Sequence, residues 1–193
     1  MRKSKRERTT KETQIELSLD LDGTGTYTID TPIGFFNHML ELFAKHGRFD
    51  LAIKAKGDVN VDFHHTVEDV GIVLGEAVAE ALGDKKGIER YANVSLPMDE
   101  TLVDVALDIS GRPYAVYKAD GLARDKVGEF DTELAADFFR AFAVSAKMTM
   151  HVSLSYGTNA HHIIEAMFKA SAVALRRASR ITNESIPSTK GIL

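Results

Sequence analysis

The chain has 193 residues, 24 basic and 28 acidic side chains, a formal net charge of −4 and no cysteine. That length suits one large domain, or two small halves packed together, with room for a substantial core. The charge balance argues against a nucleic-acid-coating surface, and the missing cysteines exclude disulfides and thiolate metal sites. No apolar run approaches a membrane span and no leader pattern is present, so a cytoplasmic setting is expected.

Arg2 to Arg8 is a basic stretch that reads as a solvated arm before the first strand. Thr13 to Leu21 alternates Ile15, Leu17, Leu19 and Leu21 on one face, the period of a strand. Asp22-Gly23-Thr24-Gly25 is a turn, and Thr26 to Asp30 reads as the returning strand of a hairpin. Pro32 opens a helix to about Lys45 that carries His38, and His46-Gly47 ends it. Phe49 to Lys56 alternates as a strand, Gly57-Asp58 turns, and Val59 to Phe63 reads as a short extended stretch.

A helix follows, to about Leu82, with a core stripe of Val70, Val73, Leu74, Ala77, Val78 and Ala81. His64, Glu68, Gly71 and Gly75 fall on another face, where the glycines admit a close neighbour. The plan then repeats. Strands are expected at Val94 to Leu96, Thr101 to Ile109 and Tyr114 to Lys118, followed by a polar loop from Gly121 to Gly128. A helix from Glu133 to about Ala146 carries Phe138-Phe139, as the earlier one carries Phe35-Phe36. Met148 to Tyr156 reads as a strand and His161 to about Arg180 as the last helix. The order implies an α+β duplication, residues 1–92 and 93–193, in which each half is a sheet with two helices on one face.

The pattern His-His-x-x-Glu occurs twice, at His64-His65 with Glu68 and at His161-His162 with Glu165. Four of the seven histidines lie in these pairs. Imidazoles combined with carboxylates suit Mn, Fe, Zn, Co or Ni. Positions four apart share a helical face, so His64 joins Glu68 and His161 joins Glu165. Adjacent helical residues diverge by about 100°, so each pair is better suited to two ions than to one. One such pair alone is more often a surface feature; two copies in matching context point to metal.

Five motifs in order carry a specific resemblance: Gly34-Phe35-Phe36-Asn37-His38-Met39-Leu40, Asp62 to Asp69, Ser110-Gly111-Arg112-Pro113-Tyr114, His161 to Ala166, and Pro187-Ser188-Thr189-Lys190-Gly191. Together they resemble the imidazoleglycerol-phosphate dehydratase family of histidine biosynthesis, in its monofunctional form. The resemblance implies a duplicated ribosomal-protein-S5-domain-2-like fold, two Mn²⁺ per site, and a 24-subunit homo-oligomer with active sites shared between chains. It implies dehydration of imidazole glycerol phosphate to imidazole acetol phosphate, through a metal-bound imidazolate and a diazafulvene. His38, His64, His65, Glu68, His161, His162 and Glu165 are the implied ligands.

Internal symmetry adds Asp137, where relatives often have His; His151 is the competing candidate. Arg90, Arg112, Lys169, Ser188 and Lys190 match the family's phosphate-binding positions, and His46 is a further substrate contact. Glu165 is the implied base, with Glu12 and Asp99 as other carboxylates at the site. Leu42 stands where relatives often carry Gln, so that contact is not carried over. The resemblance offers no nucleic-acid or membrane partner. A non-catalytic metal-storage shell is the main rival; a kinase of related fold would need a glycine-rich phosphate loop that the chain lacks.

Overall fold

The structure is a computed structural model that describes residues 2–122 and 124–193. The expected loop from Gly121 to Gly128 therefore includes one position, 123, outside the described residues. The first half contains β1 (Lys3–Thr9), β2 (Thr13–Asp20), β3 (Tyr27–Asp30), α1 (Gly34–Gly47), β4 (Asp50–Gly57) and α2 (His64–Leu82). The second contains β5 (Tyr91–Met98), β6 (Thr101–Asp108), β7 (Tyr114–Lys118), the two-residue strands β8 (Lys126–Val127) and β9 (Phe130–Asp131), α3 (Leu134–Ser145), β10 (Thr149–Tyr156) and α4 (Ala160–Ala178).

Two four-stranded sheets result, in the orders β1-β2-β4-β3 and β5-β6-β10-β7. Each has three antiparallel strands and one parallel edge, β3 on β4 and β7 on β10. Alternate residues of the strands, such as Ile15, Leu17 and Leu19, or Val103, Val105 and Leu107, are buried under the helices. The duplicated α+β plan is therefore as the sequence implied. The helices cross between halves: α1 packs along α4, and α2 along α3. Phe36, Phe138 and Phe168 meet where these pairs join, with ring centroids 4.8–6.5 Å apart.

Three local expectations are corrected. The basic N-terminal stretch is an edge strand, not an arm. Its inward positions are polar, Ser4, Arg6 and Arg8, and they bond to Glu80 and Asp69 of α2. Hydrophobic alternation is therefore absent and the strand was not legible. The segments at β2 and β3 form no hairpin, because β4 lies between them. Asp50 Oδ1 accepts the amides of Thr24, Gly25 and Thr26 at 2.8–3.2 Å, which draws the turn onto the start of β4. Residues 59–63 form turns, with Val61 N–H donating to Asp58 O at 2.8 Å, rather than an extended stretch.

Candidate metal centres and anion site

Each His-His-x-x-Glu motif opens a helix, and the helix geometry separates its histidines. The rings of His64 and His65 lie at 82° to each other with centroids 6.0 Å apart; for His161 and His162 the values are 84° and 6.3 Å. Asn159 caps α4, its Oδ1 accepting the amides of both His161 and His162. The inner histidine of each pair turns toward the neighbouring helix, and the outer one turns toward a β-turn.

The first centre joins α1 and α4. Glu165 Oε2 lies 3.3 Å from His38 Nε2 and 3.1 Å from His161 Nε2. Glu165 Oε1 is paired with Lys169, one helical turn on. Phe35 packs edge-on to His161, centroids 5.1 Å apart, and fixes its ring. Glu165 is 8% exposed; burial alone would raise its pKa, but Lys169, His161 and His38 outweigh it and hold the carboxyl below its usual range. These three ligand-type residues converge closely enough to hold one metal ion. Two imidazole nitrogens and a carboxylate oxygen form a fitting donor set for a first-row divalent metal.

A second, looser group joins α2 and α3, in which His64 rather than the glutamate is the shared member and meets its two carboxylates through opposite ring nitrogens. His64 Nε2 lies 3.6 Å from Glu68 Oε2, and His64 Nδ1 lies 3.5 Å from Asp137 Oδ2. Asp137 thus stands to α2 as His38 stands to α4. His151, the competing candidate, is exposed on β10, between the buried Met150 and Val152. It therefore faces away from the helix layer that carries both centres. The surroundings of the two groups differ as well. Glu68 is 47% exposed, and its i+4 neighbour is Ile72 rather than a lysine. Arg140 meets Asp137 Oδ1 at 3.3 Å instead.

The outer histidines meet carboxylates from turns. His65 Nδ1 lies 3.0 Å from Asp58 Oδ2, and its Nε2 lies 3.9 Å from Glu12 Oε1. His162 Nδ1 lies 2.8 Å from Glu100 Oε2, and its Nε2 lies 3.9 Å from Asp99 Oδ2. The sequence reading singled out Glu12 and Asp99 but missed Asp58 and Glu100. Both lie in turns, where an acidic residue is ordinary, so no spacing rule marks them.

The cations expected to hold phosphate gather elsewhere. Arg90 Nε and Nη2 donate to Asp108 at 2.8 and 3.3 Å, and Nη1 donates to Pro187 O at 2.7 Å. Arg112 Nη2 lies 3.6 Å from the same Asp108. A Cβ added at Gly111, where φ is +72°, would lie 2.9 Å from the Leu193 carbonyl carbon, so the tail ends against this turn. Arg90 holds the tail at Pro187, next to Ser188, and Lys190 is exposed two residues further on. Lys169 is the exception among the expected cations, since it belongs to the first centre. His46, at the end of α1, is held below the ordinary imidazole range by burial and then by the Lys169 charge.

The arginine group and the first centre lie at opposite ends of α4. The Arg90 amide donates to Ala178 O at the helix C-terminus, whereas His161 is at its start. Seventeen residues at a rise of 1.5 Å put the backbone of Ala178 about 25 Å along the helix axis from that of His161.

The sequence profile described as "Imidazoleglycerol-phosphate dehydratase" matches residues 31–175. The chain belongs to this dehydratase family. It is 60% identical over its full length to the imidazoleglycerol-phosphate dehydratase of Xanthobacter autotrophicus, of which it covers 99%. It is 58% identical to that of Rhodopseudomonas palustris, with the same coverage. Among solved structures it is similar to the dehydratase of Staphylococcus aureus, at TM-score 0.85 and 45% identity over 93% of this chain and 99% of that one. The Pyrococcus furiosus dehydratase aligns at TM-score 0.84 and 38% identity, over 97% and 100%. Membership makes the chain a lyase of histidine biosynthesis, a hydro-lyase acting on a small imidazole compound. No helix among the described residues is long and apolar enough to cross a membrane.

Proposed function

We propose that the protein dehydrates imidazole glycerol phosphate to imidazole acetol phosphate using two Mn²⁺ ions per active site. The observation that carries this reading is the convergence of His38, His161 and Glu165, with Asp137, His64 and Glu68 gathered at the matching place between α2 and α3. His65 and His162, turned away from these groups, supply a further nitrogen each, toward a site formed with a neighbouring chain. When bound, the ions withdraw charge from the imidazole ring, so that a proton on a carbon without a carbonyl neighbour becomes removable.

The chain's own groups then divide the remaining work. Arg90, Arg112, Ser188 and Lys190 bind the phosphate and fix the far end of the substrate. Lys169 keeps Glu165 ionised and oriented. Both oxygens of Glu165 are engaged, Oε1 by Lys169 and Oε2 by the two histidines. We therefore assign Glu165 to ligation, and the proton transfers to Glu12 and Asp99. These carboxylates stand beside the outer histidines at 52% and 78% exposure. A positioned base of this kind must take the carbon-bound proton and a nearby acid must protonate the departing hydroxyl.

The span of α4, about 20–25 Å along its axis from Glu165 and His161 to the end that meets the Arg90 backbone, exceeds the length of so small a substrate. One chain therefore cannot hold both ends of it, which supports a homo-oligomer with shared sites, read as the 24-subunit shell. The two halves, residues 1–92 and 93–193, act in this reading as one compact catalytic domain. A phosphorylated substrate that does not cross membranes supports a cytoplasmic setting for the enzyme.

The test is direct. Purified, Mn²⁺-loaded protein supplied with imidazole glycerol phosphate should yield the acetol phosphate. A folded, metal-loaded protein without turnover would instead favour a metal-storage role.

A further inference from the structure

The two outer histidines share a feature that the duplication of the chain does not explain. Each has a carboxylate on Nδ1, yet the two carboxylates come from different places. Asp58 follows β4, seven residues before His65. Glu100 lies in the β5–β6 turn, 62 residues before His162. Non-equivalent positions have thus arrived at the same contact, Asp58 Oδ2 at 3.0 Å and Glu100 Oε2 at 2.8 Å.

The carboxylate of Glu100 and the backbone of Asp58 are themselves anchored. Glu100 Oε1 accepts from the amides of Asn159 at 2.8 Å and Thr158 at 3.3 Å, and from Thr101 Oγ1 at 3.0 Å. That ties it to the turn from which His162 emerges. The Asp58 amide donates to Glu12 O at 3.1 Å, and the Asp58 carbonyl accepts from Val61. One residue therefore holds both the ring of His65 and the backbone of Glu12. An ionised carboxylate can only accept, so each Nδ1 must carry the proton. A neutral ring then keeps its lone pair on Nε2, the nitrogen that faces away from the anchor.

We propose that Asp58 and Glu100 are positioning residues that fix His65 and His162 as Nδ1–H tautomers, presenting Nε2 as the metal-binding nitrogen. They touch neither substrate nor ion. They raise the basicity of the ligand nitrogen and spare the rings the entropy of being ordered on binding. The inference rests on the metal reading above.

The test uses Asp58→Ala, Asp58→Asn, Glu100→Ala and Glu100→Gln in the full chain, with Mn²⁺ affinity measured by competition against a chelator. The alanine variants should bind 10- to 100-fold more weakly, on the order seen when such partners are removed. The amide variants keep an oxygen that accepts from Nδ1–H, so they should recover part of that loss. A purely structural ion pair would give no such graded rescue. Should the alanine variants not fold, a loss in the amide variants supports the proposal and wild-type affinity in them overturns it. Alanine variants that fold and bind within twofold of wild type also overturn it, as do amide variants no better than alanine. The wild-type titration separates the two readings: if it takes up no Mn²⁺, the metal assignment itself has failed.

Discussion

Glu165 and Glu68 occupy matching places in the two halves, yet their surroundings give them different work. Glu165 is buried and clasped by Lys169, whereas Glu68 is half exposed and has no cationic neighbour one turn on. His161→Ala and His64→Ala should each lower Mn²⁺ content, read by elemental analysis; full stoichiometry in both variants would remove the metal site. Glu12→Gln should lower kcat by 10²- to 10⁴-fold, the usual share of a general acid or base, with little change in KM. A KM effect alone would make Glu12 a binding residue. Lys190→Ala should do the reverse, raising KM about tenfold. The histidines and Glu165 were legible because helical spacing fixes which side chains share a face. Asp58 and Glu100 were not, because they reach His65 and His162 through tertiary folding from turns. Asp137 was legible only by comparing the halves.

At the scale of elements, the helix pairs set the distances within each centre. A Cβ added at Gly75 would lie 2.6 Å from the Phe142 carbonyl oxygen and 2.7 Å from Ser145 Cβ; at Gly71 it would meet Phe138 O at 2.9 Å. The two glycines let α2 approach α3 closely enough for His64 to meet Asp137. Gly75→Ala should therefore destabilise the fold by about 1–3 kcal/mol through overpacking, offsetting the gain of up to about 1 kcal/mol in helix propensity. Denaturant midpoints measure this, and an unchanged or raised midpoint would show that the helices can separate freely. The glycine face of α2 was readable in the sequence, though its partner was not.

The β2–β3 connection shows the opposite case. Alternation located both segments, but Asp50 decides their pairing. Its carboxyl is held below the ordinary Asp range, first by the Thr24 and Thr26 amides. A depressed pKa means that its contribution is complete above the unfolded value, near 4, and is lost as pH falls through the lower folded value. Asp50→Asn should consequently be less stable than wild type at neutral pH, with the gap closing as the solution is acidified below about pH 4. A gap that stays constant over that range would remove the charge from the explanation.

On the scale of the whole molecule, the two sheets and their buried faces followed from periodicity, and the crossing of helices between halves did not. A crossing depends on contacts between segments far apart in sequence, such as Phe36 with Phe138. Val61, Tyr91, Tyr114, Val144 and Tyr156 are large apolar side chains left more than half exposed. They suit burial against further copies of the chain. If ligands from different chains meet at the ions, chelation should reduce the particle mass measured by light scattering. A mass that is unaltered by chelation would place assembly on apolar contacts alone.

The length of α4 separates the end of the chain proposed to bind phosphate from the end proposed to bind metal, and this has a consequence for inheritance. A defect at one end of a polypeptide need not disable the same active site as a defect at the other. Two inactive variants, Arg90→Ala and His161→Ala, assembled together should rebuild some sites from their intact parts. Activity in the mixed assembly, where neither parent has any, would be complementation between alleles of one gene product. The enzyme would then be a community property of its chains, in which no single copy owns a complete catalyst.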